Sequence, residues 1–293
     1  MHHFGHFDAG ALRPHPTFDG QGNGYTHASL VDHATESVHT GLSIDELAPG
    51  GTLPPHLHSY EESFYLLAGE AILRVHDHTC RVRSGDFGVI KVGVVHAWRA
   101  VGTTAVRWLQ MAAPQPKPPG RERDTFFVRD ESAPQDAAPL DLAHLNGALF
   151  GHFDVGQIPR RDEGRDEGRM MAAGLKGVFL KWLIDEKFGA AHHRLLFIEY
   201  LPGVAIGLHD HTYEEAYFIL SGEVEATMDG QRYVARAGDV LWTGVGCVHA
   251  FANTGREPVR WLETFSPQPP SENVFRFMAE WEQRASELEG AAS

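Results

Sequence analysis

The stretch Pro202 to Gly222, PGVAIGLHDHTYEEAYFILSG, decides how this chain is read. His209, His211 and Glu215 fall on odd positions, so on an extended strand, where side chains alternate between faces, they project to one side. Two imidazoles and a carboxylate facing one way are a set of cation ligands. A third imidazole, His249, ends the apolar run GDVLWTGVGCVH, which reads as a later strand that returns the ring to the same place. Three neutral nitrogens and one anionic oxygen suit Fe, Mn, Co, Ni, Cu or Zn, whereas Ca and Mg prefer oxygen.

The constellation occurs once before, in PGGTLPPHLHSYEESFYLLAG with His96. The differences 209 − 56, 211 − 58, 215 − 62 and 249 − 96 all equal 153, so His56, His58, Glu62 and His96 repeat the later set in register. With these residues in view the chain resembles the cupin superfamily, whose first motif is G-x5-H-x-H-x3-E-x6-G. Gly50, His56, His58, Glu62 and Gly69 match it, and so do Gly203, His209, His211, Glu215 and Gly222. The second motif, G-x5-P-x-G-x2-H-x3-N, fits less well. Gly238, Gly246, His249 and Asn253 match, with Gly244 in place of the proline; Gly85, Gly93 and His96 match, with Lys91 for the proline and Ala100 for the asparagine. The departures concern the loop before the last histidine and the equivalence of the two pockets.

A chain of 293 residues exceeds the usual single-domain size and accommodates two domains, placed at 1–146 and 147–293. The fold expected is all-β: two tandem jelly-roll barrels, as the resemblance implies, with a C-terminal amphipathic helix. That helix is expected over Val274 to Leu288, where Val274, Phe275, Met278, Trp281, Ala285 and Leu288 recur at helical spacing. It would pack on a barrel or cover a homodimer interface. The net charge of −14 argues against nucleic acid and anionic membrane as partners. With no long apolar run and no hydrophobic signal region at its start, the chain is read as cytoplasmic. Cys80 and Cys247 are not equivalent in the repeat and are read as small buried apolar residues.

FGHFDAG at Phe4 to Gly10 recurs as FGHFDVG at Phe150 to Gly156, an offset of 150 − 4 = 146, so the repeat starts at the N-terminus. His2, His3 and His6 are accordingly native residues, expected at a strand end and not as ligands. A strand is expected over Val38 to Leu47, ending at the turn Ala48-Pro49-Gly50. Asp229-Gly230 marks a hairpin turn, which places His76 and His78 at the equivalent solvated tip. Arg160 to Arg169, RRDEGRDEGR, reads as a solvated loop.

A His3Glu set leaves two adjacent places open at an octahedral metal, for a bidentate substrate or for substrate beside dioxygen. One divalent transition metal per barrel is expected, with a small-molecule substrate. The repeats also share Tyr60 and Tyr213, Glu61 and Glu214, and Arg107 and Arg260. Strand parity turns Glu61 and Glu214 away from the metal, to an outer surface or interface. An inward Arg260 would anchor a substrate carboxylate, with Tyr213 as a further candidate catalytic residue; the alternative for the arginines is a rim salt bridge. Trp98, Phe251, Gln110 and Glu263 are candidate pocket walls. The first expectation is an oxidoreductase of the dioxygenase type, like the ring-cleaving members the layout resembles. Alternatives are redox-neutral chemistry, as in manganese-dependent ureidoglycine aminohydrolases or oxalate decarboxylases, and non-enzymatic ligand binding. The second barrel, which keeps Asn253, is expected to be the main catalytic one.

Overall fold

The computed structural model describes residues 1–76, 78–118, 123–140, 150–158, 177–268 and 276–279. Those residues are almost entirely strand and turn. By packing, the chain divides into a unit of Phe7–Ile158 with Trp182–Leu195, and a unit of Met1–His6, Pro159–Lys181 and Leu196–Ser293.

In the first unit one hydrogen-bonded path runs through Phe150–His152, Asp86–Ile90, Glu61–Ala68, Val106–Ala113, Gly41–His58, His96–Val101, Glu70–Val75 and His78–Arg83. Asn23–Val31 and Thr125–Phe127 also pair with Gly41–His58. Contrary to the expected stop at residues 48–50, Gly41–His58 continues as one strand. Gly50, with φ of 72°, bends it, and Asn23–Val31 spans the bend by pairing Tyr25 with Leu47 and Asn23 with Thr52. Glu61–Ala68 lies between two strands and is buried on both faces. Inside, Trp98 and Trp108 stack at 4.9 Å and Phe64 meets Trp98 edge-on at 5.0 Å.

The second unit separates into two sheets. One orders His2–His6, Asp239–Thr243, Glu214–Ser221, Val259–Ser266, Arg194–Tyr200 and Val178–Ile184; the other orders Gln231–Arg236, Glu223–Met228, His249–Ala252, Ala205–Asp210 and Arg276–Phe277. The hairpin expected at Asp229-Gly230 is present: Met228 pairs with Gln231, and both turn residues have positive φ. Its counterpart leaves His76 and His78 exposed.

The two FGHFD copies pair crosswise. His2–His6 lies on Asp239–Thr243, with His6 Nδ1 2.6 Å from Asp239, while Phe150–His152 lies on Asp86–Ile90, with His152 Nδ1 2.7 Å from Asp86. Each copy joins the barrel of the other repeat. The boundary at 146/147 stands as our proposal for the repeat itself, since packing assigns these short strands the other way.

Two expectations are corrected. Glu61 and Glu214 are buried and not on an outer surface. Glu61 accepts from the backbone nitrogens of Ala191 and His192 at 2.8 and 3.0 Å, and His193 Nδ1 lies 3.0 Å away. Burial alone would raise this carboxyl, but His193 and the two backbone donors hold it down at about 2. The C-terminal helix over Val274 to Leu288 lies mostly outside the described residues. Of its described residues Arg276–Phe277 is a strand, paired with Ala205–Asp210 and tied down by the Arg276 guanidinium on the Asp210 carboxylate, and Met278 and Ala279 after it are helical.

Candidate functional site

Antiparallel pairing brings the ligand residues together from opposite ends of each motif. His56 and His58 end the strand Gly41–His58, Glu62 lies in the next strand after a short turn, and His96 opens its own strand directly opposite His56. In the second barrel His209 pairs directly with His249, and Glu215 lies in the other sheet, opposite Thr243. The loop before the last histidine is alike in both copies despite the missing prolines. Gly93 and Gly246 have φ of 75° and 73°, and their N–H groups donate to the carbonyls of His58 and His211. Lys91 is exposed, so it does not compete with a cation in the pocket.

Hydrogen bonds orient the rings. The Nδ1 atoms of His56, His96, His209, His211 and His249 donate to the carbonyls of Pro54, Val94, Gly207, Tyr213 and Cys247, at 2.7 to 3.1 Å. His58 Nδ1 lies 2.9 Å from the Thr125 hydroxyl. A neutral imidazole whose Nδ1 carries the proton offers its lone pair at Nε2, the tautomer a metal needs. His96 Nε2 is buried without a hydrogen-bond partner, 3.8 Å from Glu62 Oε2, and His58 Nε2 lies 3.1 Å from the same oxygen. In the second barrel His211 Nε2 and His249 Nε2 lie 2.8 and 3.4 Å from Glu215 Oε2. Donor atoms of His56, His58 and His96, and of His211, Glu215 and His249, lie within 4.8 Å of one another. Buried lone pairs converging beside a carboxylate fit a divalent transition ion in both barrels. His209 completes the second set less tightly, its ring 4.3 Å from that of His249 but 6.2 Å from that of His211.

Burial pushes His58 down to about 3 and His96 and His209 down to about 4; His15, in the same cavity as the first site, also falls to about 4. In the metal-free fold these rings stay neutral while unfolded imidazoles charge below 6.5. The unfolded state then binds more protons, and stability is lost as pH falls from about 6.5 to about 4. Glu62, raised by burial to about 7, acts in the opposite sense between 4.5 and about 7, and so do His27 and His211, which Asp45 and Glu215 raise against the effect of burial, while His56, lowered by burial, adds to the four. Metal-stripped protein should therefore melt at progressively lower temperature from pH 6.5 to pH 4, and the metal-loaded protein should hold its melting temperature to lower pH. A flat profile for the stripped protein would refute neutral buried rings.

Around these ligands the barrels differ. The first contains a cavity of about 480 Å3 bounded by His56, His58 and Glu62 and walled by Tyr25, Trp98 and Trp108. Trp98 and Gln110, named as walls from the sequence, line it. In the second barrel Tyr217 takes the place of Phe64, and its hydroxyl donates to the Glu215 carboxylate and lies 3.3 Å from His249 Nε2. Strand parity put residue 217 on the ligand face, so this substitution was visible in the repeat. Glu263 is buried beside it and accepts from Trp261 Nε1 at 2.9 Å. Phe251 is buried against Tyr217 and Trp261.

Tyr60 and Tyr213 stack on His58 and His211, with centroids 4.4 and 4.0 Å apart, and so brace ligand rings. Arg260 Nε donates to Glu199 at 2.6 Å, as Arg107 does to Glu46 at 2.9 Å: the rim salt bridge, in both copies. Asn253 donates to the carbonyls of Tyr200 and Glu257 and accepts from Gly255, ordering the loop after His249.

Sequence reasoning missed a polar cluster on the first cavity. Buried Asp45 accepts from Tyr25 at 2.5 Å and Ser43 at 2.8 Å and lies 2.8 Å from His27 Nδ1; the His15 ring meets that of His27 at 4.7 Å. The signal was the surplus of histidines, 19 in all, over the six in the two ligand sets.

The cupin-domain family model matches the chain twice, at residues 43–111 and 196–265. The chain is a two-domain member of the cupin superfamily. It is 40% identical over 62 residues to an oxalate-binding protein of Thermotoga maritima, covering 21% of this chain and 51% of that one. It is 31% identical over 74 residues to the polyketide synthase CurC of Streptomyces cyaneus, covering 25% and 48%. These matches span about half the length of each curated relative. Among solved structures it resembles the Lactobacillus farciminis oxalate decarboxylase formate complex, with a TM-score of 0.65, 16% identity and coverage of 95% and 89%. The Bacillus subtilis oxalate decarboxylase follows with a TM-score of 0.60, 18% identity and coverage of 88% and 75%. At these identities the likeness concerns the fold. No helix among the described residues is long and apolar enough to cross a membrane.

Proposed function

We propose that the chain is a metal-dependent cupin enzyme of the redox-neutral, decarboxylating kind, acting on a carboxylate-bearing small molecule in the first barrel. The observation that carries this reading is the cavity of about 480 Å3 on which three ligand residues of the first barrel open. The decarboxylase neighbours, with Mn(II) centres in the Bacillus subtilis protein, support manganese and decarboxylation. The oxygenase expectation has no comparable support. The cavity also moves the proposed catalytic role from the second barrel to the first. Among the described residues its lining includes no arginine, and Arg107 is engaged by Glu46, so none of them offers a dianion as small as oxalate a guanidinium partner. The aromatic walls suit a larger monocarboxylate with an aromatic or alkyl body.

A bound divalent ion would polarise the carboxylate or a neighbouring oxygen of the substrate. Trp98, Trp108 and Tyr25 hold the apolar body and exclude water. His27 is the proton source. Burial lowers its proton affinity, but the charge and hydrogen bond of Asp45 more than offset this and raise it above the usual imidazole value. Loss of carbon dioxide breaks the bond to the carboxyl carbon and leaves its electron pair on the substrate. The substrate carbon that keeps this pair takes a proton from His27 Nε2, which regains one from water.

The test is carbon dioxide release from a panel of aromatic and aliphatic monocarboxylates and oxalate, using protein loaded with Mn(II) and with an oxygen electrode in the cell. Carbon dioxide without oxygen uptake supports the reading. Oxygen consumed in step with product would restore the oxygenase, and tight binding without turnover would leave a ligand-binding protein.

A further inference from the structure

We propose a third metal site, outside both His3Glu sets, formed by His2, Asp229 and Cys247. Ligand atoms of these three residues lie within 4.8 Å of one another. They come from three places brought together by the pairing of the N-terminal strand: His2 begins that strand, Asp229 is the first residue of a hairpin turn, and Cys247 precedes His249 by two positions.

The hydrogen bonds around His2 call for a cation there. Tyr233 donates its hydroxyl proton to Gln231 Oε1 at 2.7 Å, so its contact with His2 Nε2 at 2.9 Å is one in which the ring nitrogen donates. A neutral His2 then carries its lone pair at Nδ1. That nitrogen faces the Asp229 carboxylate at 3.2 Å, two acceptors opposed across a gap that a proton or a metal must fill. Cys247 Sγ is the third donor, fully buried, in weak contact with the Val248 carbonyl at 4.0 Å and within hydrogen-bond reach of the Asp229 carboxylate.

One nitrogen, one oxygen and one sulfur form a borderline-soft set that takes Zn(II), Ni(II) or Cu(II) in preference to Mg(II) or Ca(II). Binding replaces the thiol proton and any proton on His2 Nδ1, releasing both to solvent. The fourth place goes to water. Asp229 is one-third exposed and opens the site to solvent, whereas the thiol closes it from inside. An ion here staples the N-terminal strand to the hairpin and to the loop whose Cys247 carbonyl orients His249 at 2.9 Å.

Sulfur makes the site separable from the barrel centres, which contain none. Full-length protein without an N-terminal tag is stripped and refilled with Co(II), and the near-ultraviolet thiolate-to-cobalt charge-transfer band is recorded. The band should appear in the parent and in Cys80→Ser, and vanish in Cys247→Ser. His2→Ala leaves the buried thiol in place, guards against misfolding of the serine variant, and should weaken Co(II) affinity at this band at least about tenfold, as loss of a ligand does. Zinc content should fall by one ion per chain in Cys247→Ser. Absence of the band in the parent, or its survival in Cys247→Ser, overturns the proposal and leaves a proton between His2 and Asp229. Neither result bears on the barrel metals, which d–d absorption and metal content in His58→Ala report separately.

Discussion

Glu62→Ala should lower kcat/KM by about 10³-fold or more, because the carboxylate opens on the cavity and the several kcal/mol of charge stabilisation from a bound metal depend on its ligand set. Glu215→Ala should cost less than about tenfold, since that carboxylate is engaged by the Tyr217 hydroxyl and His211 and our proposal places turnover in the first barrel. Metal analysis should show one ion lost from the two barrel centres in each variant, whatever the rate. The same holds for His58→Ala and His211→Ala. Steady-state kinetics on variants of matched melting temperature provide the check. A loss of rate confined to Glu215→Ala would return catalysis to the second barrel, and equal partial losses would mean two independent working sites.

Glu61→Ala should destabilise the protein by about 3–5 kcal/mol, the scale for removing one partner of a buried charged pair. Glu61 is buried, and its carboxylate serves two backbone N–H groups and His193, whose Nε2 lies 2.5 Å from the Ser63 hydroxyl. Deleting it leaves those donors in the interior with nothing to bond. At about 2–4 °C per kcal/mol for a unit of this size, the melting temperature should drop by about 10 °C. Glu61→Gln keeps one acceptor oxygen and should recover part of the loss. Unfolding followed by circular dichroism decides it; a change under about 1 kcal/mol would mean that water takes over the donors.

The ligand sets were legible because the in-register repeat makes chance an inadequate explanation for four residues at once. The single strand expected to carry His209, His211 and Glu215 is in the fold two, Ala205–Asp210 and Glu214–Ser221, in different sheets, with His211 in the turn between them. The hairpin at Asp229-Gly230 was legible from local geometry, since the positive φ of a tight turn selects for such residues. Parity turned Glu61 away from the metal, but the outer-surface reading failed because parity does not say what covers a face, and residues 191–193, some 130 positions away, supply the cover. The same limit applies to Arg260: its strand position is set by sequence, but its choice of Glu199 over the pocket is a matter of which side chain lies opposite. Arg276 and Phe277 fall inside the segment whose apolar residues recur at helical spacing, yet in the fold they are extended. The unpaired edge of Ala205–Asp210 and the Asp210 carboxylate offered them backbone and charge partners that a helix would forgo. His2, Asp229 and Cys247 show the widest gap between sequence and structure. No spacing relates them, and only the crosswise pairing of the N-terminal strand, a contact between residues more than two hundred positions apart, brings their nitrogen, oxygen and sulfur together.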